Sequence, residues 1–343
     1  MKILSIETSC DETAAAIVEG RKGNAAIKLI SQTIATSMEI HAKTGGIIPE
    51  HAARNQVAYI LPVITKTLHD ANISSTNPSI DAVAVTYGPG LIGSLLVGVE
   101  TAKTLSFVWN KPLIPVNHLY GHIYANFIET PQSKNIAFPA LALIVSGGHT
   151  DLVLLKKHGD VTWLGGTLDD AAGEALDKIG RVLKLTYPGG PAIEKIAEKG
   201  NEKAFRFPRA LLASNNFDFS FSGLKTAVLR EIKLHNALDE KLIADIAASM
   251  QKAIIDVLVK KTVSAAELYQ AKTILLGGGV AANKKLIKIL QEHISALELP
   301  IQLSVPPAQL CTDNAAMIGA AAFYNPVQQL WENVQANPQL YFD

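Results

Sequence analysis

Short apolar runs alternate along this chain with longer segments in which apolar residues recur every three or four positions. Residues 3–6 and 140–145 are two such runs, and each passes through a few small polar residues into a second apolar run. This arrangement predicts two β-hairpins made of buried strands. Further strands are predicted at residues 30–38, 80–86, 112–116, 273–276 and 301–305. The alternation of strands and helices predicts an α/β fold.

The longer segments predict helices. They are residues 49–68, 91–109, 168–185, 242–269, 284–294 and 315–323. The first of them has Pro49 in its opening turn, where the missing N–H costs nothing. Its apolar stripe, which we expect to face the first sheet, consists of Val57, Ile60, Leu61, Ile64 and Leu68.

Two expectations concern the second half of the chain. Asp169 and Asp170 are predicted to cap the helix at residues 168–185. The buried stripe of this helix is predicted to be Leu176, Ile179 and Leu183. Residues 217–222 alternate Phe with Asp or Ser, which predicts a strand whose Phe side chains pack in a core.

The two hairpins share one layout of strand, small polar turn and strand. This repetition suggests a duplicated, two-lobed protein that holds a nucleotide between two facing hairpins. In the second turn, Gly147 and Gly148 allow backbone N–H groups to approach a bound anion because no Cβ intervenes. A plain hairpin turn remains the alternative for either copy alone.

Composition narrows the class of protein. The chain has 343 residues, 48% hydrophobic and 18% charged, which suits two domains with sizeable cores. An acidic residue near the N-terminus interrupts any signal-peptide core, so we expect a soluble, cytoplasmic protein with no membrane segment. Cys10 and Cys311 are too few and too far apart for a disulfide framework. Lys and Arg number 31 and Asp and Glu number 31, so no global field attracts nucleic acid.

A pair of histidines is the first candidate for metal binding. His118 and His122 follow a predicted strand and are four residues apart, so one helix face can present both imidazoles to an ion. Such a pair also arises by coincidence, and a third ligand is needed. Asp313 has two open interpretations: an N-cap of the last helix, or the carboxylate of a two-His-one-carboxylate site.

Glycine-rich turns provide further candidates. Residues 88–90 form a Gly-Pro-Gly turn between a strand and a helix, which is either a ligand loop or simply a tight turn. Three glycines at 277–279 precede the basic helix at residues 284–294, which suits the base and ribose of a nucleotide. The spacing matches neither a dinucleotide fingerprint nor a P-loop.

Taken together, the motifs resemble one family. They lie at residues 6–13, 118–122, 145–150, 169–175, 187–191, 278–283 and 311–314. They look like the TsaD family, the bacterial tRNA threonylcarbamoyladenosine transferases once labelled O-sialoglycoprotein endopeptidases. The resemblance implies a two-lobed actin-like and Hsp70-like ATPase (ASKHA) fold with duplicated mixed-sheet cores. We place the first lobe at residues 1–133 and 307–343 and the second at 134–306, with a polar link at residues 130–135.

The resemblance also implies an activity. The family transfers the threonylcarbamoyl group from threonylcarbamoyl-AMP to N6 of adenosine 37 in tRNAs that read codons beginning with A. By position, His118, His122 and Asp313 match the metal ligands of the family. Of the two metals that the resemblance implies, iron is expected in preference to zinc. The family's nucleotide contacts are matched by Ile144, Val145, Ser146, Gly147, Gly148, Asp177, Gly190 and Asn283. Tyr120 and Glu194 depart from the family pattern, which weakens the transfer of a ribose contact to Glu194.

The same likeness sets the chemistry and the partners that we expect. Asp11 or Glu12, in the first hairpin turn, is predicted to take the amine proton or to steer the base. ATP, ADP or AMP can occupy the nucleotide site. The expected partners are tRNA and the TsaB and TsaE proteins, with a TsaC-type enzyme supplying threonylcarbamoyl-AMP. The neutral net charge predicts that partner proteins help to hold the tRNA.

Three other functions compete with this one. A zincin metalloprotease needs Glu after the first histidine, and this chain has Leu119 there. An Hsp70-like or actin-like switch needs the nucleotide site but no metal. A sugar or acetate kinase of the same fold transfers phosphate to small alcohols.

Overall fold

The computed structural model describes residues 1–21, 26–37, 46–130, 136–235, 237–297 and 299–342. The chain divides into two compact units: unit 1, Met1–Ile136 with Pro306–Asp343, and unit 2, Ala137–Val305. Residues 131–135 of the predicted polar link lie outside the described residues.

Unit 1 is built on a five-stranded mixed sheet. Its strands are β1 (Lys2–Glu7), β2 (Glu12–Glu19), β3 (Lys28–Thr36), β4 (Ala82–Gly88) and β5 (Leu113–Asn117). The strand order is β3-β2-β1-β4-β5, antiparallel from β1 to β3 and parallel from β1 to β5. Three helices interrupt or follow these strands: α1 (Pro49–Asp70), α2 (Ile92–Trp109) and α3 (His118–Tyr124).

Unit 2 repeats this plan. Its strands are β6 (Ala140–Val145), β7 (Thr150–Lys157), β8 (Asp160–Gly166), β9 (Thr273–Gly277) and β10 (Gln302–Ser304). Its helices are α4 (Ala172–Val182), α5 (Gly189–Ala197), α6 (Ser222–Ile232), α7 (Glu240–Leu268) and α8 (Lys284–Ser295). The order β8-β7-β6-β9-β10 has the same directions as in unit 1. The predicted pair of duplicated mixed sheets is confirmed.

The chain then returns to unit 1 through α9 (Ala308–Cys311) and α10 (Ala315–Tyr324). Helix α10 packs on β1, β2 and α3. The approach is close because a Cβ at Gly319 would lie 2.6 Å from Val18 Cγ2. Ser5 Oγ also donates a hydrogen bond to the Ala315 carbonyl, at 2.6 Å. The residues just before α10 are thereby fixed beside the first strands of the chain.

The inward face of α1 differs from the predicted stripe. Ile60, Ile64 and Leu68 are buried as predicted, but Val57 and Leu61 are 65% and 60% exposed. The prediction was wrong because two polar residues, Gln56 and Thr67, take inward positions where their side chains bond to buried backbone carbonyls. Hydrophobic spacing alone does not reveal such polar anchors.

The expected capping of α4 is also corrected. The N-cap of α4 is Ala171, which makes no side-chain bond, and Thr150 Oγ1 accepts a hydrogen bond from the Ala172 N–H at 2.9 Å. Asp169 Oδ1 accepts from the Phe221 N–H at 2.8 Å, beside the start of α6. Asp169 therefore satisfies N–H groups at α6 instead, and α4 ends at Val182, before residue 185.

Residues 217–222 do not form the predicted strand. Phe219 makes one isolated bridge to Thr167, and α6 begins at Ser222. Phe219 and Phe221 are nonetheless buried, as predicted, whereas Phe217 is only half-buried. Leu176 and Ile179 of α4 are buried as predicted, and so is Leu183, which follows the helix as its C-cap.

Among the described residues, none of the helices is both long and apolar enough to cross a membrane.

Helix α2 approaches the first hairpin turn at a glycine, and this contact predicts a specific loss of stability. A Cβ at Gly98 would lie 2.2 Å from Thr8 Oγ1. Gly98→Ala should therefore lower the free energy of unfolding by about 1–3 kcal/mol, as overpacking does. In α6, a Cβ at Gly223 would meet no atom within 4 Å, so Gly223→Ala should be neutral or slightly stabilising. Chemical denaturation of both variants checks this, and equal destabilisation would contradict it.

Candidate functional site

Strand β5 delivers two histidines to one place in unit 1. Asn117 ends the strand and caps α3, since its side chain accepts a hydrogen bond from the Leu119 N–H at 2.9 Å. Helix α3 therefore begins at His118, and His122 follows one turn later. The two ring centroids lie 4.7 Å apart with an interplanar angle of 77°. The predicted shared face is present.

Asp313 completes this group. Its Oδ1 lies 3.5 Å from His118 Nε2 and 3.4 Å from His122 Nε2. One ligand atom from each of the three residues lies within 4.8 Å of the others. Asp313 does not cap α10, because Asn314 does: its side chain accepts from the Met317 N–H at 3.0 Å. The cap interpretation of Asp313 is excluded.

Glu7 stands behind His118 and was missed in the sequence. Its side chain is 1% exposed, and its Oε2 lies 3.0 Å from His118 Nδ1. Thr86 Oγ1 donates to the same oxygen at 2.6 Å, and the Ser9 N–H donates to Oε1. The sequence offered one sign of this role: Glu7 is an acidic residue at the end of an otherwise mostly apolar strand.

The buried charges act on each other. Burial alone would lower the pKa of His118, but the carboxylates of Glu7 and Asp313 outweigh burial and raise it well above its ordinary value. Burial lowers the pKa of His122. For Asp313, burial would raise the pKa, but His118 and His122 hold it far below its usual range. Asp313 is therefore an anion at neutral pH.

These residues fit a divalent metal ion. His122 is fully buried, and neither of its ring nitrogens has a hydrogen-bond partner among the described residues. A buried polar atom without a partner is costly, and coordination by Nε2 would satisfy one of the two. Two imidazoles and a carboxylate suit iron or zinc and leave coordination positions open for a substrate.

The first hairpin turn carries Asp11 and Glu12, and side chains of helices α1 and α2 hold its backbone. Gln56 Nε2 donates to the carbonyls of Cys10 and Glu12 at 3.0 and 2.9 Å. Ser94 Oγ donates to the Cys10 carbonyl at 3.0 Å. Burial, together with the charges of Asp313 and Asp11, raises the pKa of Glu12 well above its ordinary value. The backbone of the turn is thus fixed, and the Glu12 carboxylate binds a proton more readily than an ordinary carboxylate does.

Neither cysteine has the character of a nucleophile. Burial raises the pKa of Cys311 to about 11. Burial, and then the nearby carboxylates of Asp313, Asp11 and Glu12, raises the pKa of Cys10 well above its ordinary value. Both side chains are free thiols that stay protonated at neutral pH.

The Gly-Pro-Gly turn is packed against protein. A Cβ at Gly88 would lie 1.9 Å from the Asn337 carbonyl oxygen, and one at Gly90 would lie 2.5 Å from that of Ser9. These glycines are required by close backbone contacts, which favours the tight-turn interpretation.

The second hairpin turn, in unit 2, has open space above its glycines. Ser146 N–H donates to the His149 carbonyl at 2.9 Å, and His149 N–H donates to Ser146 Oγ at 3.1 Å. A Cβ at Gly147 or Gly148 would meet nothing within 4 Å. A Cβ at Gly173, in the first turn of α4, would lie 2.4 Å from the Ser146 carbonyl oxygen. The turn is therefore held by its own hydrogen bonds and by the close contact with Gly173, while the Cβ directions of Gly147 and Gly148 point into open space.

The other predicted nucleotide residues gather near the carboxyl ends of β6 and β9. Ile144 and Val145 are fully buried in β6, so their side chains belong to the core. Gly278 follows β9 with φ 90°, and a Cβ there would lie 2.3 Å from the Val145 carbonyl oxygen. Asn283 caps α8 by accepting from the Leu286 N–H at 2.9 Å.

Helix α5 starts beside these residues. Asp177 Oδ1 accepts from the Gly189 N–H at 2.7 Å, and burial raises the pKa of this carboxyl. A Cβ at Gly190 would have only Leu176 Cδ1 near it, at 3.9 Å. Glu194, at the departure from the family pattern, accepts from the Lys284 N–H at 2.8 Å. Ligand-binding residues of α/β sheets collect at such strand ends.

Comparison with known proteins decides the family. The family model described as TsaD, tRNA N6-adenosine threonylcarbamoyltransferase, matches residues 28–320. The chain belongs to the TsaD family. The tRNA N6-adenosine threonylcarbamoyltransferase of Bacillus subtilis (strain 168) is 52% identical over 94% of this chain and 89% of its own length. That of Thermomicrobium roseum is 50% identical over 94% and 92%. The resemblance drawn from the motifs is confirmed.

Solved structures similar to this TsaD-family chain show its fold. T. kodakarensis HypF has a TM-score of 0.62 at 14% identity, over 94% of this chain and 48% of HypF. Component A of (R)-2-hydroxyglutaryl-CoA dehydratase from Acidaminococcus fermentans has a TM-score of 0.52 at 16% identity, over 95% and 98%. The predicted ASKHA fold class is confirmed.

In this TsaD-family chain the pKa of His118 is raised and that of His122 is lowered, so the two histidines should titrate at different pH. In metal-free protein, His118 should protonate at a higher pH than His122, and Asp313→Asn should lower the pKa of His118. Folding raises the pKa of His118, so protonation of this residue stabilises the folded protein. That stabilisation is complete below the pKa of an unfolded histidine and is lost as the pH rises through the pKa of His118 in the folded protein. NMR titration of the imidazole C–H signals checks this, and the reverse order would contradict it.

Proposed function

We propose that this chain transfers the threonylcarbamoyl group from threonylcarbamoyl-AMP to N6 of adenosine 37 in tRNAs that read codons beginning with A. The observation that carries the proposal is the meeting of His118, His122 and Asp313 in a chain about half identical, over 94% of its length, to tRNA N6-adenosine threonylcarbamoyltransferases. A zincin protease is disfavoured because Leu119, where its base would stand, is fully buried.

The reaction is a carbamoyl transfer. The N6 amine attacks the carbamoyl carbon, an N–C bond forms, and the bond from that carbon to the phosphate oxygen breaks. AMP departs with the bonding electrons, and the amine loses one proton. The amine is a weak nucleophile, so the site must hold both reactants in place and stabilise charge on the carbonyl oxygen.

In the proposed metal site, His118 and His122 would hold the ion through Nε2 and Asp313 through its carboxylate, and iron or zinc would suit this set. The bound ion would supply Lewis-acid polarisation of the threonylcarbamoyl group. The chain's own contribution is to orient the three ligands: α3 fixes the two imidazoles, and Asn314 fixes the turn that carries Asp313.

For the leaving group, we assign the phosphate to the backbone N–H groups of residues 146–148. The accessible outer side of this turn supports the assignment, because an anion can approach N–H groups that no Cβ shields. Asp177, Gly190 and Asn283 are assigned to the adenosine, with Ile144 and Val145 supporting them from β6. ATP, ADP or AMP would occupy the same positions.

We propose that Glu12, in preference to Asp11, accepts the proton that the amine loses. Glu12 is buried and lies near the negative charges of Asp313 and Asp11, so it accepts a proton more readily than an ordinary carboxylate does. Gln56 holds the carbonyl of Glu12 and so fixes its backbone. Asp11 is then left to orient the incoming base.

The neutral net charge of the chain bears on how tRNA is bound and on the need for partner proteins. The sequence of unit 1 has 10 Lys and Arg against 13 Asp and Glu, net −3, and that of unit 2 has 21 against 18, net +3, which together give the neutral total. Such a chain has little of the electrostatic attraction that dominates RNA affinity. We therefore propose that TsaB and TsaE help to hold the tRNA in the cytoplasm, and that a TsaC-type enzyme supplies threonylcarbamoyl-AMP.

A protein partner also suits the surface of unit 1. Helices α1 and α2 pack together, and both expose apolar side chains. Val57 and Leu61 of α1 are 65% and 60% exposed, and Ile92 and Leu96 of α2 are 49% and 45% exposed. Each helix thus exposes two apolar side chains one turn apart, and exposed apolar surface on neighbouring helices is the kind that protein partners cover. We assign this face to TsaB.

Metal analysis of three variants tests the ligand set. Replacing His118, His122 or Asp313 by Ala should remove the bound metal and the transfer activity, because two ligands hold an ion poorly. AMP binding should persist, because its proposed residues belong to unit 2. The matched control is Asp239→Ala, which removes the N-cap of α7 in unit 2 and should cost about 1 kcal/mol of stability while the metal is kept. Asp313→Ala with wild-type metal content would remove Asp313 from the site.

Calorimetry tests the phosphate turn. Gly148→Val should weaken AMP binding at least tenfold, because its side chain would occupy the space assigned to the phosphate. The fold should survive, since that space holds no protein atom. Gly223→Val, at another glycine with an open Cβ direction, is the control and should bind AMP normally. Wild-type affinity in Gly148→Val would place the phosphate elsewhere.

Transfer in vitro tests the function itself. The purified chain should move labelled threonylcarbamoyl from threonylcarbamoyl-AMP to tRNA slowly, and addition of TsaB and TsaE should restore turnover. A transcript with guanosine at position 37 is the control substrate and should remain unlabelled. Full turnover by the chain alone would refute the need for partners. No labelling in the complete mixture would refute the function.

A further inference from the structure

We infer that Glu7 is a positioning residue for the metal centre: it fixes the tautomer and orientation of His118 and thereby sets the affinity for the ion. This inference rests on the proposed metal site. It concerns an acid on strand β1, 111 residues before His118 in the chain, whose carboxylate lies behind the imidazole, on its Nδ1 side.

The carboxylate of Glu7 is itself held firmly. The register of β1 and β4 pairs Ile6 with Val85, which brings the next residues, Glu7 and Thr86, side by side. Thr86 Oγ1 donates to Oε2 at 2.6 Å, and the Ser9 N–H donates to Oε1. Both oxygens therefore have donors from the protein, and the side chain is 1% exposed. A carboxylate bound in this way cannot turn away from the histidine.

Hydrogen-bond chemistry then fixes the tautomer of His118. A carboxylate is only an acceptor, so His118 Nδ1, 3.0 Å from Oε2, must carry the proton. Ser9 Oγ lies 3.2 Å from the same nitrogen and can share that proton as a second acceptor. The lone pair of a neutral His118 is then on Nε2, the nitrogen directed at Asp313. This is the form that a metal ion requires.

His122 shows what this backing adds. Its Nδ1 is buried without a hydrogen-bond partner among the described residues, so nothing holds this ring from the Nδ1 side, although Nε2 lies 3.4 Å from Asp313 Oδ1. The two histidines are therefore unequal ligands, and only His118 has a carboxylate that fixes its orientation from behind. Glu7 also adds a second negative charge near the site. Together with Asp313 it balances a divalent ion, which lowers the cost of burying that charge.

A purely structural role for Glu7 makes a different prediction. In that case the carboxylate only joins β1 to β4 through Thr86, and its loss would lower stability without changing the metal affinity or the tautomer. Glu7→Gln separates the two roles. A Gln side chain offers one acceptor oxygen to the three donors of Ser9, Thr86 and His118, and its NH₂ group can stabilise the wrong tautomer of His118.

The experiment uses the full chain, stripped of metal by a chelator. Zn²⁺ affinity is measured by competition with a chromophoric chelator. The His118 tautomer is read from ¹⁵N chemical shifts of the metal-free protein at a pH above the raised pKa of His118, where the imidazole is neutral. We expect wild type to show the Nδ1–H tautomer, and Glu7→Gln to lose it and to bind Zn²⁺ about 10–100-fold more weakly. Thr86→Val removes the bond that joins β4 to Glu7 but keeps the carboxylate and its bond from the Ser9 N–H, so it should keep the Nδ1–H tautomer and weaken Zn²⁺ binding less than Glu7→Gln does. The spectrum of bound Co²⁺ should likewise change more in Glu7→Gln than in Thr86→Val.

Each contrary result has a separate meaning. Zn²⁺ binding that is lost in His118→Ala but unchanged in Glu7→Gln overturns this inference and leaves the metal site standing. Wild-type binding that is indifferent to His118→Ala overturns both. If Glu7→Gln does not fold, the wild-type tautomer decides, because an Nε2–H form in the metal-free protein refutes positioning by Glu7.

Discussion

The packing of the last long helix against the first strands is the contact on which the proposed chemistry of unit 1 depends. Ser5 Oγ bonds to the Ala315 carbonyl at the start of α10, and Gly319 allows the helix to approach β2. Since Asp313 lies two residues before this helix, that contact sets it beside α3. A chain that lacked this return would have two histidines and no third ligand.

The same sheet supplies what surrounds the histidines. Strand β1 brings Glu7 behind His118, β4 brings Thr86 to Glu7, and β5 leads directly into α3. The antiparallel side of the sheet holds the turn with Asp11 and Glu12, which Gln56 of α1 pins by its carbonyls. Charge therefore concentrates at one edge of the sheet, at the end of β1, the start of β2 and the end of β5. The pKa values of His118, Asp313 and Glu12 depart from normal because these groups are buried together.

Much of this was readable from the sequence, for physical reasons that differ between features. The hairpins and the helices could be predicted because burial imposes a period on the chain, and the pairing of His118 with His122 follows from helix geometry. Asp313 could be joined to them only through family resemblance. Glu7 and Gln56 were missed because a polar residue in a buried position has no period, and its partners are set by strand register. Asp169 was assigned to the wrong helix for the same reason, since a carboxylate binds whichever free N–H groups the fold brings near it.

The central claim is that this chain makes threonylcarbamoyladenosine in tRNA, and one measurement tests it most directly. Cells depleted of the protein are complemented with the wild-type chain or with Asp313→Ala at matched expression, and nucleosides from total tRNA are quantified by mass spectrometry. The account predicts that threonylcarbamoyladenosine falls on depletion, returns with wild type and stays low with Asp313→Ala. An unchanged level of the modified nucleoside after depletion would contradict it.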